Sequence, residues 1–433
     1  MSLKTVIRNK VAGHLFSLNR RDAQRRKAEQ RRQSQNAPHI VEYYHEAGDP
    51  YSHLMVQVLP EFCRRYDIDL QVYVVSPPPD WAAPDRDRLN AYARKDAERL
   101  AGRAGLTFVD PGAEPSDADL LAANAALVSA VEDGTFLQRA IDIGQQLWGG
   151  QVDAAPESVA ADVTQSLASA TERRDNEGHY LGATLFYGGE WYWGVDRLHY
   201  LEARLTALGA ATDASGAPIF SPPIVPSRTP QISKTSQTEL HWYLSFRSPY
   251  TGITADRVKA LADAYGAELK LRYVLPMVMR GMQVPRAKGF YIMRDTVREA
   301  ERLGVPFGNM CDPVGQPVER GYAVLHRAIE LGKGFEFVRS FLSGVWAEGI
   351  DAGSDRGLRT TTERAGLSWA DMKPLISGDH WRSNAEANQE EMFSHGIWGV
   401  PSFRVDDVAV WGQDRLWVIE EALAAKAASE QGG

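Results

Sequence analysis

The 433 residues include 48 Lys or Arg against 56 Asp or Glu, a net charge of −8, with 44% hydrophobic and 24% charged residues. That balance suits a soluble globular chain with room for two or three cores, and its acidity argues against nucleic acid as a partner. The two cysteines, Cys63 and Cys311, exclude a disulfide framework, a cysteine zinc site and a C-x-x-C redox pair, and suit a reducing, cytoplasmic setting.

In chain order, residues 1–39 come first as a basic tail, with ten Lys or Arg against only Asp22 and Glu29. Its apolar run, Val11 to Leu18, is broken by Gly13, His14 and Ser17 and lacks a cleavage site, so it is no secretory signal. It reads as a solvated, partly disordered tail, as a basic amphipathic helix making weak contact with an anionic membrane surface, or as a transit-like segment. Eighteen consecutive apolar residues occur nowhere, so no transmembrane segment is expected.

From Ile40 the elements follow a β-α-β pattern. A strand covers Ile40 to Tyr44, a turn Gly48 to Tyr51, an amphipathic helix runs from Ser52 toward Tyr66, and a strand covers Leu70 to Val75. A helical block, about 88–178, precedes a hairpin with a Gly188-Gly189 turn and a last helix. Residues 240–425 repeat this order: strand Leu240–Phe246, helix to Tyr265, strand Glu268–Val274, helical block 287–395, and a hairpin turning at Asp406-Asp407.

The repetition is also literal. The string W-G-x-D-R-L occurs at Trp193–Leu198 and Trp411–Leu416. At a constant offset of 199, Pro50, Tyr92, Asp96, Gly105 and Phe108 match Pro249, Tyr291, Asp295, Gly304 and Phe307, and the offset grows to 218 near the ends. So long a period means tandem globular domains and not a solenoid. The expected organisation is a tail over 1–39, a domain over 40–209, a Pro/Ser/Thr-rich linker over 210–238, a domain over 239–425 and a short tail over 426–433. The fold class is α/β, two tandem thioredoxin-like domains, each with an inserted helical subdomain.

In the second domain three sets of residues stand out: Phe246-Arg247-Ser248-Pro249-Tyr250; Lys288 to Asp295 with Gly304 to Phe307; and Gly399 to Phe403 with Trp411 to Leu416. Together they resemble the DsbA-like group, and within it 2-hydroxychromene-2-carboxylate isomerases and kappa-class glutathione transferases. The resemblance implies glutathione as cofactor, with Ser248 holding its thiolate. It also implies a cis Val400-Pro401 whose backbone pairs with the cysteinyl unit, Lys288 as a further contact, and Gln413 and Asp414 at the γ-glutamyl end.

The residue chemistry is compatible with that. A hydroxyl at a helix start lies where unpaired N–H groups favour negative charge, and a hydrogen bond donated to a thiolate lowers the thiol pKa. Ser248 is equally suited to be a helix cap, as is Asp414. Tyr250, Tyr291 and Trp398, with Met277, Met279, Met282, Phe290, Trp346 and Trp411, are candidates for an apolar cleft for an aromatic or hydrophobic small molecule, or for plain core. The loop Leu275–Pro285 is shorter than the family's and lacks its asparagine. No metal site is expected.

The first domain lacks these groups: Asp49 stands for Ser248, Leu89 for Lys288 and Thr184 for the proline. It is expected to be a degenerate copy that packs against its twin as an intramolecular pseudo-dimer. Two functions follow: a glutathione-dependent isomerase or transferase, or a non-catalytic binding protein of the same fold. A thiol-disulfide oxidoreductase is suggested by the fold only.

Overall fold

The computed structural model describes residues 9–11, 13–152, 160–212, 216–222 and 238–431. Most of the expected linker lies outside them, as do residues 432–433. The chain divides into two compact units. The first comprises Asp22–Pro222 with Pro285–Tyr291, and the second Met1–Arg21, Pro223–Val284 and Ile292–Gly433.

The first unit holds a four-stranded sheet in the order β2-β1-β3-β4, with β1 Ile40–His45, β2 Asp69–Val74, β3 Thr184–Tyr187 and β4 Glu190–Trp193. β1 and β2 are parallel, joined by the helix Pro50–Arg65, while β3 and β4 form an antiparallel hairpin. Pro50 opens that helix, where its missing N–H costs nothing. Among the described residues four helices, Arg86–Ala104, Asp117–Glu132, Phe136–Trp148 and Ala160–Asn176, separate β2 from β3. Alternate strand residues Val41 and Tyr43 meet Leu54, Leu59 and Phe62 of the crossover helix in one core with Leu185, Tyr192 and Leu198.

The second unit repeats this as β6-β5-β7-β8, with β5 Glu239–Leu244, β6 Glu268–Tyr273, β7 Ser402–Val405 and β8 Val408–Trp411. The pairing registers correspond residue by residue. Ile40 faces Asp69 as Glu239 faces Glu268, and Thr184 faces Trp193 as Ser402 faces Trp411. The offsets of 199 and 218 read from the sequence are therefore the offsets of the sheet. Both units are thioredoxin-like domains with an inserted helical subdomain. The second insert carries the extra length, from Arg286–Leu303 through Gln316–Glu330, Gly334–Trp346, Asp355–Arg364 and Trp369–Met372 to Arg382–Ser394.

Four expectations need correction. The helix expected to run unbroken to Tyr265 is split into Pro249–Gly252 and Ala255–Ala264. Within the basic tail, Leu18–Ser34 is helical with no buried residue: its Arg, Gln, Ala and Glu are good helix formers, and Arg25 and Arg32 pair with Glu190 and Glu29, each at 2.7 Å. That helix offers no apolar stripe for a membrane surface. The last helix, Leu416–Gln431, continues beyond residue 425. Finally, the strand register makes Thr184 the counterpart of Ser402, so Ala183, at φ 50°, stands where the second unit has Pro401. The side chains agree: Thr184 Oγ1 donates to Leu181 O at 3.2 Å as Ser402 Oγ donates to Gly399 O at 2.6 Å.

Candidate functional site

Ser248 caps the short helix Pro249–Gly252 in an extended conformation, φ −82° and ψ 116°. Its Oγ accepts from the Thr251 N–H at 3.2 Å and donates to the Val400 carbonyl at 3.1 Å. The cap expected of this residue and its approach to the Val400-Pro401 loop therefore coexist. The Val400-Pro401 peptide bond is cis. Gly399 lies so close to the Trp411 indole that a Cβ there would come within 2.4 Å of it, which requires glycine at the start of the loop. Because the helix breaks after one turn, charge at Ser248 is met by nearby N–H groups and not by a long helix dipole.

The two units provide an internal control for the remaining candidates. A contact found in both serves the fold they share; a contact found only beside Ser248 is a candidate for function. Tyr250 Oη donates to Asp295 Oδ2 at 2.9 Å, and Tyr51 Oη donates to Asp96 Oδ2 at the same 2.9 Å. Asp414 pairs with Arg415 at 3.4 Å and Asp196 with Arg197 at 3.8 Å. The preceding glycines, Gly412 and Gly194, have φ of 117° and 76° and present each carboxylate with a surface that a Cβ would obstruct. Tyr250 and Asp414 thus both make contacts that belong to the common fold. Asp414 lies within the 3-10 turn Gln413–Arg415 and is not its cap, which is Gly412.

Gln413 differs. It is buried, and its Oε1 and main-chain carbonyl accept from Arg257 Nη1 and Nη2 at 2.6 and 3.1 Å, while its Nε2 donates to Glu299 Oε2 at 2.7 Å. Arg302 completes the group by donating to Glu299 at 2.9 Å. Burial pushes the Arg257 guanidinium down to about 10, opposed by Glu299 and Asp414. Gln413 was expected at the γ-glutamyl end of a ligand; both ends of its side chain are engaged within the protein. Arg257 and Glu299 were missed by sequence reasoning. The signal lay in the repeat, because the offset of 199 sets them against Val58 and Leu100.

Lys288 and Tyr291 belong to the first unit. Lys288 is buried, its Nζ donates to the Ala82 carbonyl at 3.2 Å, and desolvation pushes its ammonium down to about 8. Tyr291 packs with Tyr44, Val75 and Trp191. In the second unit, Trp398 is buried and meets Trp411 edge-on at 6.0 Å. Trp346, proposed for a cleft, is core: it stacks on Phe307 and donates to the Phe246 carbonyl at 3.0 Å.

The corresponding corner of the first unit is filled by acids. Asp49 accepts from the Tyr51 and Ser52 N–H groups and from the Ser52 hydroxyl. Ser52 Oγ in turn accepts from the Ala183 N–H at 2.8 Å. Glu46 lies against Gly182, and burial with the neighbouring Asp49 pushes its carboxyl up. Among the described residues no group of His, Cys, Asp and Glu could hold a metal ion, and no helix is long and apolar enough to cross a membrane.

A four-stranded mixed sheet with a polar cap at the crossover helix and a cis-proline loop facing it defines the second unit as a thioredoxin-fold domain. Residues 239–424 match the family model of the DSBA-like thioredoxin domain, and this half of the chain is such a domain. Relatives include the 2-hydroxychromene-2-carboxylate isomerase of Pseudomonas sp. (strain C18), 22% identical over 191 residues, covering 42% of this chain and 88% of the relative. The same-named protein of Pseudomonas putida is 20% identical over 190 residues, covering 42% and 92%. Among solved structures, a selenomethionine 2-hydroxychromene-2-carboxylate isomerase matches at 21% identity with a TM-score of 0.38, covering 45% of this chain and 98% of that one. The cytosolic disulfide reductase DsbM from Pseudomonas aeruginosa with GSH matches at 16% and 0.36, covering 45% and 100%.

Proposed function

We propose that the second unit is a glutathione-dependent isomerase or transferase acting on an aromatic or unsaturated small molecule. The observation that carries this is the 3.1 Å approach of Ser248 Oγ to the Val400 carbonyl. A hydroxyl donor and a main-chain acceptor meet at the place where a cysteinyl unit would need one for its sulfur and the other for its N–H. Ser248 would transfer its hydrogen bond from Val400 to the sulfur, stabilising the thiolate, while the Thr251 N–H holds the hydroxyl in orientation. Glutathione, when bound, would supply a nucleophile that adds to an unsaturated carbon and, in an isomerisation, is eliminated again. Within the second unit, Val400, Pro401 and Gln413 with Asp414 complete the proposed glutathione contacts, Gln413 through its main chain; Lys288 belongs to the other unit and is not among them. Tyr250 and Trp398 remain candidates for the substrate side of this unit, whereas Tyr291 packs in the core of the other. Since Ser248 and Thr251 stand where a dithiol would be, disulfide exchange at this turn has no sulfur to work with.

Two observations favour the rival, a binding protein without turnover: Lys288 is engaged with Ala82, and the Asp414–Arg415 pair has its double in the unit without a serine. Glutathione titration followed by thiolate absorbance, on the wild type and Ser248→Ala, tests the proposal. The wild type is expected to bind with a thiol pKa lowered by about one unit or more, and the substitution to remove most of that shift. Binding with equal thiol pKa in both proteins would refute a thiolate-stabilising Ser248; binding without turnover of any conjugated acceptor would favour the rival.

A further inference from the structure

The Arg257–Gln413–Glu299 group is expensive to bury. Arg257 is 6%, Gln413 2% and Glu299 0% exposed, and taking an arginine and a glutamate out of water costs several kcal/mol per ion before their attraction is counted. The other unit solves the same packing problem without charge. At offsets of 199 and 218, Arg257, Glu299 and Gln413 correspond to Val58, Leu100 and Val195, which are 5%, 2% and 1% exposed and lie together in the hydrophobic core. The strand order and register are the same in both units, although the helix that carries Arg257 is split where the one that carries Val58 is continuous. The fold therefore does not need these charges, and an apolar trio is commonly as stable or more so.

What the charged group does is hold one turn. Arg257 grips Gln413 at both its side-chain oxygen and its main-chain carbonyl, and Glu299 fixes the opposite end of the amide. Gln413–Arg415 is the turn that opens the last helix, immediately after β8. We infer that Arg257 and Glu299 are positioning residues, which lock Gln413 so that the Gln413–Asp414 turn is preorganised for the end of glutathione remote from its sulfur. This rests on the proposed function and adds to it two residues that touch neither sulfur nor substrate. Preorganisation of this kind acts on affinity, whereas Ser248 acts on ionisation.

The test transplants the apolar trio into the full chain as R257V/E299L/Q413V, with Arg257→Lys as the conservative variant. Calorimetry should show glutathione binding to the triple variant at least ten-fold weaker than to the wild type, while its melting temperature is unchanged or higher. The thiol pKa of glutathione bound at saturation should stay at the wild-type value, since Ser248 is intact. Arg257→Lys, which keeps a cation but cannot hold both oxygens as a fork, should fall between. A triple variant that binds as tightly as the wild type would overturn the inference and leave the glutathione reading standing. Failure of the triple variant to fold would overturn it too, by making the group a requirement of the fold. No binding to the wild type would overturn both.

Discussion

A tyrosine and an aspartate 45 residues apart find each other twice in this chain, Tyr51 with Asp96 and Tyr250 with Asp295, both at 2.9 Å. Tyr250 was a candidate for the substrate cleft; the duplicate bond shows what its hydroxyl does in a unit that lacks Ser248. Tyr51→Phe and Tyr250→Phe should each lower stability by a similar amount, about 1–2 kcal/mol for a hydrogen bond to a carboxylate. Denaturant unfolding measures that, and Tyr250→Phe should leave glutathione affinity within two-fold. A large affinity loss with no change in stability would return Tyr250 to the binding surface. The capping bond of Ser248 has its double in Asp49, which accepts from the Ser52 N–H as Ser248 accepts from the Thr251 N–H. Its donation to the Val400 carbonyl is the contact that Asp49, accepting from two N–H groups and the Ser52 hydroxyl, does not repeat.

At the scale of elements, the strands, the crossover helices and both hairpins were legible because alternation and turn residues are local signals, and the repeat supplied their register. The break between Pro249–Gly252 and Ala255–Ala264 was not, because it depends on tertiary contact: Gly252 lies against Trp346, where a Cβ would come within 2.8 Å of the indole. Arg257 and Glu299 were illegible one at a time, being 156 and 114 residues from the glutamine they hold. The acid-filled corner of the first unit carries its own pH signature. Glu46 and Asp49 form a buried acidic pair whose carboxyls are both pushed up on folding, by burial and, at Glu46, by the Asp49 charge, so the folded state binds more protons than the unfolded state above the ordinary carboxylate range. Their contribution is therefore without penalty at acid pH and increasingly unfavourable as pH rises above that range. Glu46→Gln should flatten that decline, as urea unfolding of the first unit between about pH 5 and 8 would show; an unchanged slope would mean that the pair carries no folding-linked proton.

For the molecule as a whole, the proposed site belongs to one unit while the fold is present in two. A ligand that binds only a folded state stabilises it by about 2.7 kcal/mol at a hundred times its dissociation constant. Glutathione at that excess should slow amide exchange in residues 239–431, most of all around β7 and the last helix. Exchange in β1 to β4 should not change, and Ser248→Ala should reduce the effect. Protection spread evenly over both sheets would contradict a single site. The sulfur chemistry of the chain itself also follows from its architecture. Cys311 is buried, and burial pushes the Cys63 thiol up to about 11, which leaves it little thiolate near neutrality. A cysteine introduced as Ser248→Cys would face the Thr251 N–H, now 3.2 Å from the side-chain oxygen. It should be the group that an alkylating dye modifies first, giving a one-site chemical handle at the start of the Pro249–Gly252 helix.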